Sequence, residues 1–200
     1  MTRLFYAGES LNEWYPEGNV EAGVSLVNTP IYRGSHAFKC ERKQSGTPAT
    51  MINWDHKWHT NLSEAYAGFA LYVPASYQSP EWTVVHEFCQ ETPFRRNLVV
   101  YLNHDNYFNG LALQFVTWAP DDTFKLLYRC PVPRDQWIVV EEYLRLSHTD
   151  GKLIVYINGD AVYASPNMDL QFERPEICSF MVGVYGDKSN PDQVPTLTSA

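Results

Sequence analysis

The sequence predicts an all-β fold, an antiparallel two-sheet sandwich in one domain. Three observations carry this. Short segments alternate apolar and polar residues at a period of two, the spacing of a strand with one buried face. Turn residues separate those segments at short intervals. No segment sustains the 3.6-residue period of an amphipathic helix.

The clearest segment is 137–163. Ile138, Val140, Leu144 and Leu146 share one face of a strand. Asp150-Gly151 and Asn158-Gly159 are hairpin signals, because the turns they favour need positive φ. Together they predict three strands joined by two tight turns. Leu153, Val155 and Ile157 fall on one face of the middle strand, Ile154 and Tyr156 on the other.

The other elements follow in order. Residues 4–7, 24–27 and 36–42 read as strands. Residues 44–62 are the least regular part and hold Trp54-Asp55-His56-Lys57-Trp58-His59. Strands are expected at 65–73, 82–90, 97–102, 111–115 and 124–128, and a strong one at 177–185. The tail 188–200 is polar and rich in Pro and Ser, which places the domain at 1–187.

Bulk composition narrows the function classes. The chain has 200 residues, enough for one sandwich with a core. Net charge is −8 with no basic stripe, which argues against nucleic acid. No run of about eighteen apolar residues exists, so no membrane-spanning helix is expected. Residues 1–20 hold no signal-peptide core. If Met1 is the natural start, the chain folds in a cytoplasm; otherwise a domain cut from an extracellular protein stays open. Cys40, Cys89, Cys130 and Cys178 lack metal spacing and are expected to be reduced.

Several stretches resemble a known family. Ser147 to Gly159 follows the pattern s-x-x-D-G-k-l-x-v-y-i-N-G. Gly8-Glu9-Ser10-Leu11-Asn12-Glu13-Trp14 is similar to the opening f-E-s-G-x-l-x-x-W, with the glycine displaced. The stretches 31–37 and 66–74 match the turn v-x-x-G-x-x-A and the strand y-y-s-F-x-l-y-v-P. From Leu4 to about Asp187 the chain resembles the concanavalin-A-like (LamG-type) jelly roll, most of all its polysaccharide-lyase-like members. The resemblance implies a groove on the concave sheet, lined by one parity of strands 82–90, 97–102, 137–146 and 177–185.

The resemblance is strong for the frame and weak for activity. Lyases of this fold carry Gln-x-His on the first groove strand and y-F-K-a-G-v-Y-n-Q on the last. Here Phe180, Gly183 and Tyr185 keep the frame. Phe88 stands at the His position, Met181 at the Lys and Asp187 at the closing Gln. β-Elimination of a uronate needs a group to neutralise the carboxylate, a base and an acid. His86, Tyr185 and Arg145 (or Arg129) are the candidates for a lyase. By parity, Val84, His86, Phe88 and Gln90 are expected to share the groove face.

Other readings stand beside it. Glu87 and Glu91 flank Cys89 in the E-x-x-x-E spacing of a β-strand glycosidase, on the opposite parity, with Cys where an Asp belongs. A non-catalytic module could bind glycan through Tyr101, Tyr143, Gln90, Gln114, Trp54 and Trp58. The chain could equally be a subunit packed against protein partners, as in a virion surface or capsid-decorating assembly. His56 and His59 lack a third metal ligand in view. The resemblance also implies a structural calcium, for which Glu9 is the candidate ligand. The non-catalytic glycan- or partner-binding module is the leading expectation.

Overall fold

Alternation along the chain becomes two stacked sheets in the computed structural model. It describes residues 2–7, 14–17, 24–42, 50–54, 62–77, 82–90, 95–174, 176–177 and 179–186; at 2–7, 14–17, 24, 41–42, 50–54, 179 and 185–186 only the backbone is described. The strands are β1 (Thr2–Ala7), β2 (Trp14–Glu17), β3 (Val24–Val27), β4 (Ala37–Arg42), β5 (Thr50–Trp54), β6 (Glu64–Tyr72) and β7 (Thr83–Gln90). They continue with β8 (Arg95–Asp105), β9 (Gly110–Thr117), β10 (Lys125–Pro131), β11 (Trp137–Arg145), β12 (Lys152–Ile157), β13 (Asp160–Ala164) and β14 (Ser179–Gly186). No helix occurs among the described residues.

Sheet I runs β13-β12-β11-β6-β1-β4-β3, and sheet II runs β10-β9-β8-β7-β14-β5-β2. Every pairing between these strands is antiparallel. The result is an antiparallel jelly-roll sandwich. Leu71, Val140, Leu144 and Leu153 of sheet I meet Phe88, Val100, Leu113 and Phe115 of sheet II, all fully buried. Each such side chain contributes about 1.5–3 kcal/mol by leaving water. Cys40, Cys89 and Cys130 are buried and free. Burial pushes the Cys40 thiol up to about 12 and the Cys130 thiol up to about 11, so both stay protonated core groups. Cys178 lies outside the described residues.

The central stretch forms as its pattern predicts, with two changes. Asn158 (φ 54°) and Gly159 (φ 88°) both take positive φ in the β12–β13 turn, as a two-residue hairpin requires. Asp150-Gly151 does not act that way. A turn at 148–150 joins β11 to β12, and Gly151 bridges Met168 instead. A Cβ on Gly151 would meet the carbonyls of Met168 at 2.6 Å and Ser147 at 2.8 Å, so close packing is what requires glycine there. The second change is Glu142. It sits at the inward parity among Val140 and Leu144 and is 1% exposed.

Alternation missed two strands. β5 lies within 44–62, the stretch read as least regular, and β2 lies between the expected strands 4–7 and 24–27; they pair with each other at the edge of sheet II. Four-to-five-residue edge strands leave too few positions for a period of two to stand out.

Candidate functional site

The outer face of sheet II is built on a β-bulge in β7. Val84 pairs with Tyr101 of β8, and His86 pairs with the next residue, Val100. Val85 is therefore the extra residue, and an extra residue reverses the parity of everything after it. β14 accommodates the same step between Val182 and Tyr185, where Gly183 takes φ 148°. Val84 faces outward with Val99, Cys89 and Met181. His86 and Phe88 face inward, into the layer between the sheets, and Gln90 on their parity is fully buried.

The bulge corrects the expected groove face. His86 is 0% exposed, and its Nε2 lies 3.1 Å from Glu142 Oε2 of sheet I. Its Nδ1 lies 2.9 Å from the Met181 carbonyl, and the rings of Phe69, Phe88 and Phe180 surround it. His86 is therefore a polar bridge between the sheets and has no access to the outer face.

On that outer face a pocket of about 390 Å³ opens, lined by Trp82, Val84, Arg96, Tyr101, Asn103, Gln114, Trp118 and Phe124. A second hollow of about 300 Å³, lined by Arg95, Arg96, Trp118 and Asp122, shares Arg96 and Trp118 with it, so the two form one trough. Val84, Val99, Cys89 and Met181 make an apolar floor. The walls are aromatic. Trp82 meets Tyr101 edge-on at 6.2 Å, Tyr101 lies 6.4 Å from Phe124, and Phe124 meets Trp118 edge-on at 5.6 Å.

A polar ribbon crosses the strands beside that wall. Thr83 N donates to Asn103 Oδ1 (3.0 Å), Asn103 Nδ2 to Gln114 Oε1 (3.2 Å), and Gln114 Nε2 to Asp105 Oδ2 (2.9 Å). Tyr107 N donates to Asp105 Oδ1 (2.8 Å), and Arg129 Nη1 reaches Asp105 Oδ2 at 3.3 Å. Arg129 in turn lies 4.6 Å from the Tyr107 ring centroid. Burial pushes the Asp105 carboxyl up, but Gln114, Tyr107 N and Arg129 outweigh it and hold it below the ordinary carboxylate range. The ribbon uses one N–H of each amide.

Glu87 is the other carboxylate of this face, 3% exposed. Arg96 Nε donates to its Oε2 at 3.0 Å. Burial lifts the Glu87 carboxyl above the ordinary range, against the pull of Arg96, Cys89 and His86. Glu91, its partner in the glycosidase reading, lies outside the described residues.

The remaining sequence candidates scatter. The expectation that strand 137–146 lines the groove is corrected: β11 pairs with β6 and β12 in sheet I. Tyr143 and Arg145 therefore lie on the outer face of sheet I. Tyr143 Oη donates to Glu64 Oε2 (2.6 Å), and Arg145 holds the Asp150 carbonyl and carboxylate. Tyr101 and Gln114 line the trough, whereas Gln90 is buried out of its reach. Tyr185 occupies the register position opposite Val84, and Trp54 pairs with Trp14 at the sheet edge; their side chains lie outside the described residues, as do Trp58, His56, His59 and Glu9. No group of three or more His, Cys, Asp or Glu that could hold a metal occurs among the described residues. Sequence reasoning did not name Trp82, Arg96, Asn103, Trp118 or Phe124. Asn103 was legible from its parity with Tyr101. Trp118 comes from a loop that no periodicity marks, and Phe124, read as the start of the strand 124–128, sits just before β10.

No family model and no curated protein matches the sequence. Solved structures do match. An endo-β-1,4-glucuronan lyase from the fungus Trichoderma reesei superposes with a TM-score of 0.70 at 17% identity, covering 91% of this chain and 83% of that one. An alginate lyase gives 0.60 at 10% identity, covering 88% and 79%. A carbohydrate esterase from the Shiga toxin-encoding bacteriophage phi24B gives 0.59 at 10% identity, covering 93% and 90%. At these identities the likeness is one of fold, and the fold is the jelly-roll sandwich of these proteins.

Proposed function

We propose that this protein binds a glycan in the trough of sheet II and performs no chemistry on it. The observation that carries the reading is the trough itself. Trp82, Tyr101, Trp118 and Phe124 offer faces on which the C–H surfaces of sugars stack, and Asn103 and Gln114 offer oriented amides to hydroxyl groups. That its structural neighbours include two lyases and an esterase named for carbohydrates supports a glycan as the ligand. Against the lyase reading stand two of its candidates: His86 faces Glu142 between the sheets, and Arg145 faces Asp150 on the other sheet.

Retention on a panel of immobilised polysaccharides tests this. Trp118→Ala and Tyr101→Ala should each weaken binding by about 1–3 kcal/mol, roughly 5- to 150-fold. Tyr66→Ala, on the far face, should leave it unchanged. Unaltered binding by Trp118→Ala would move the site elsewhere. An ultraviolet signal of unsaturated uronate would make the protein a lyase.

A further inference from the structure

We infer that the trough is built for an uncharged glycan, not for a uronic-acid polymer. This rests on the glycan-binding reading and names the ligand class of that same site. The neighbours named as glucuronan and alginate lyases would suggest the opposite. The charges of this chain's trough decide against it.

Each cation described on this face already holds a carboxylate. Arg96 Nε lies 3.0 Å from Glu87 Oε2, and Arg129 Nη1 lies 3.3 Å from Asp105 Oδ2. Arg95 Nε lies 3.6 Å from Asp122 Oδ2, and Lys125 Nζ lies 3.0 Å from Asp121 Oδ1. The face therefore carries both signs in matched pairs, with no surplus of positive charge among the described residues.

A uronate polymer brings one negative charge per sugar. To hold it, the trough would have to turn an arginine from its partner to the ligand. Two of the pairs cannot yield cheaply. The side chains of Glu87 and Asp105 are 5% and 2% exposed, so an arginine that left would leave a buried carboxylate without its counter-charge. Arg95 and Asp122 are exposed at 33% and 59%, so that pair alone of the three arginine pairs can open to solvent at little cost. Otherwise an arriving carboxylate would find each of these cations already paired with a carboxylate. An uncharged sugar meets no such penalty. Its hydroxyls match the amides of Asn103 and Gln114, and its C–H faces match the aromatic wall.

The test uses pairs of polysaccharides with one backbone and two states at C6, the alcohol and the carboxylate. β-1,4-Glucan and β-1,4-glucuronan oligomers form one pair; mannan and mannuronan oligomers form another. Dissociation constants are measured by calorimetry on the intact chain. The neutral member of a pair should bind at least about tenfold tighter, with little change from low to physiological salt. In Asp122→Asn, which takes the Asp122 carboxylate from Arg95, the gap should narrow. Tighter binding of the carboxylated member, weakening as salt rises, would overturn the inference and leave the glycan reading intact. Binding of neither member in any pair, by protein shown to be folded, would sink the glycan reading and this inference with it.

Discussion

On the outer face of sheet II, buried carboxylates hold arginines; on the outer face of sheet I, carboxylates hold tyrosines, with Arg145 on Asp150 beside them. Tyr66 donates to Glu141 at 2.9 Å, Tyr143 to Glu64 at 2.6 Å and Tyr72 to Asp135 at 3.4 Å. The hydrogen bond to Glu141 raises the Tyr66 hydroxyl above its ordinary range, and that to Glu64 does the same for Tyr143. Each of these pairs spans the surface, and Tyr66 is 62% exposed. On sheet II two carboxylates sit beneath the surface, Glu87 and Asp105, each 3% exposed, and Asp105 is tied into a ribbon that spans four strands, β7 to β10. Carboxylates thus make a solvated surface on one face and a pre-set one on the other. A pre-set surface loses less side-chain freedom on binding, which supports the trough over the tyrosine face as the proposed site.

Three substitutions sharpen that contrast, in falling order of effect. Glu142→Ala removes one partner of the bridge between the two sheets and leaves His86 buried without it. The expected loss is about 3–5 kcal/mol in chemical denaturation. A loss below about 1 kcal/mol would mean that the bridge is dispensable and the core can close over it. Asp105→Ala strips the acceptor from Gln114, Tyr107 N and Arg129 at once. About 1–3 kcal/mol of stability should go, and glycan affinity should fall with it, because Gln114 loses its orientation. Stability lost with affinity unchanged would detach the ribbon from the trough's function. Tyr143→Phe deletes one exposed hydrogen bond on sheet I. Its thermal midpoint should match the parent's, since such surface contacts contribute about 0–1 kcal/mol. A clear drop would show that the tyrosine face is as tightly built as the trough.

The jelly roll was legible because its evidence is local. Alternation at 138–146 and 153–157 reports which face of each strand is buried, and Asn158-Gly159 reports its turn directly through positive φ. The site was legible only in part. Tyr101 and Gln114 were found because β8 and β9 run without a bulge between them. His86 was misplaced because parity counting assumes an unbroken ladder, and Val85 breaks it. Tyr143 and Arg145 were misplaced for another reason. Alternation says that a strand has two faces but not which sheet it joins, and β11 joined sheet I.

By itself, then, the sequence determined most of the strand content and the polarity of most faces, both set by neighbours within a few residues. Tertiary structure decided which sheet each strand entered, where the bulge in β7 turned the pattern over, and which carboxylate each arginine found. Those depend on contacts between residues far apart in the chain, such as His86 with Glu142 and Asp105 with Arg129, whose free energy appears only once the two sheets have closed on each other.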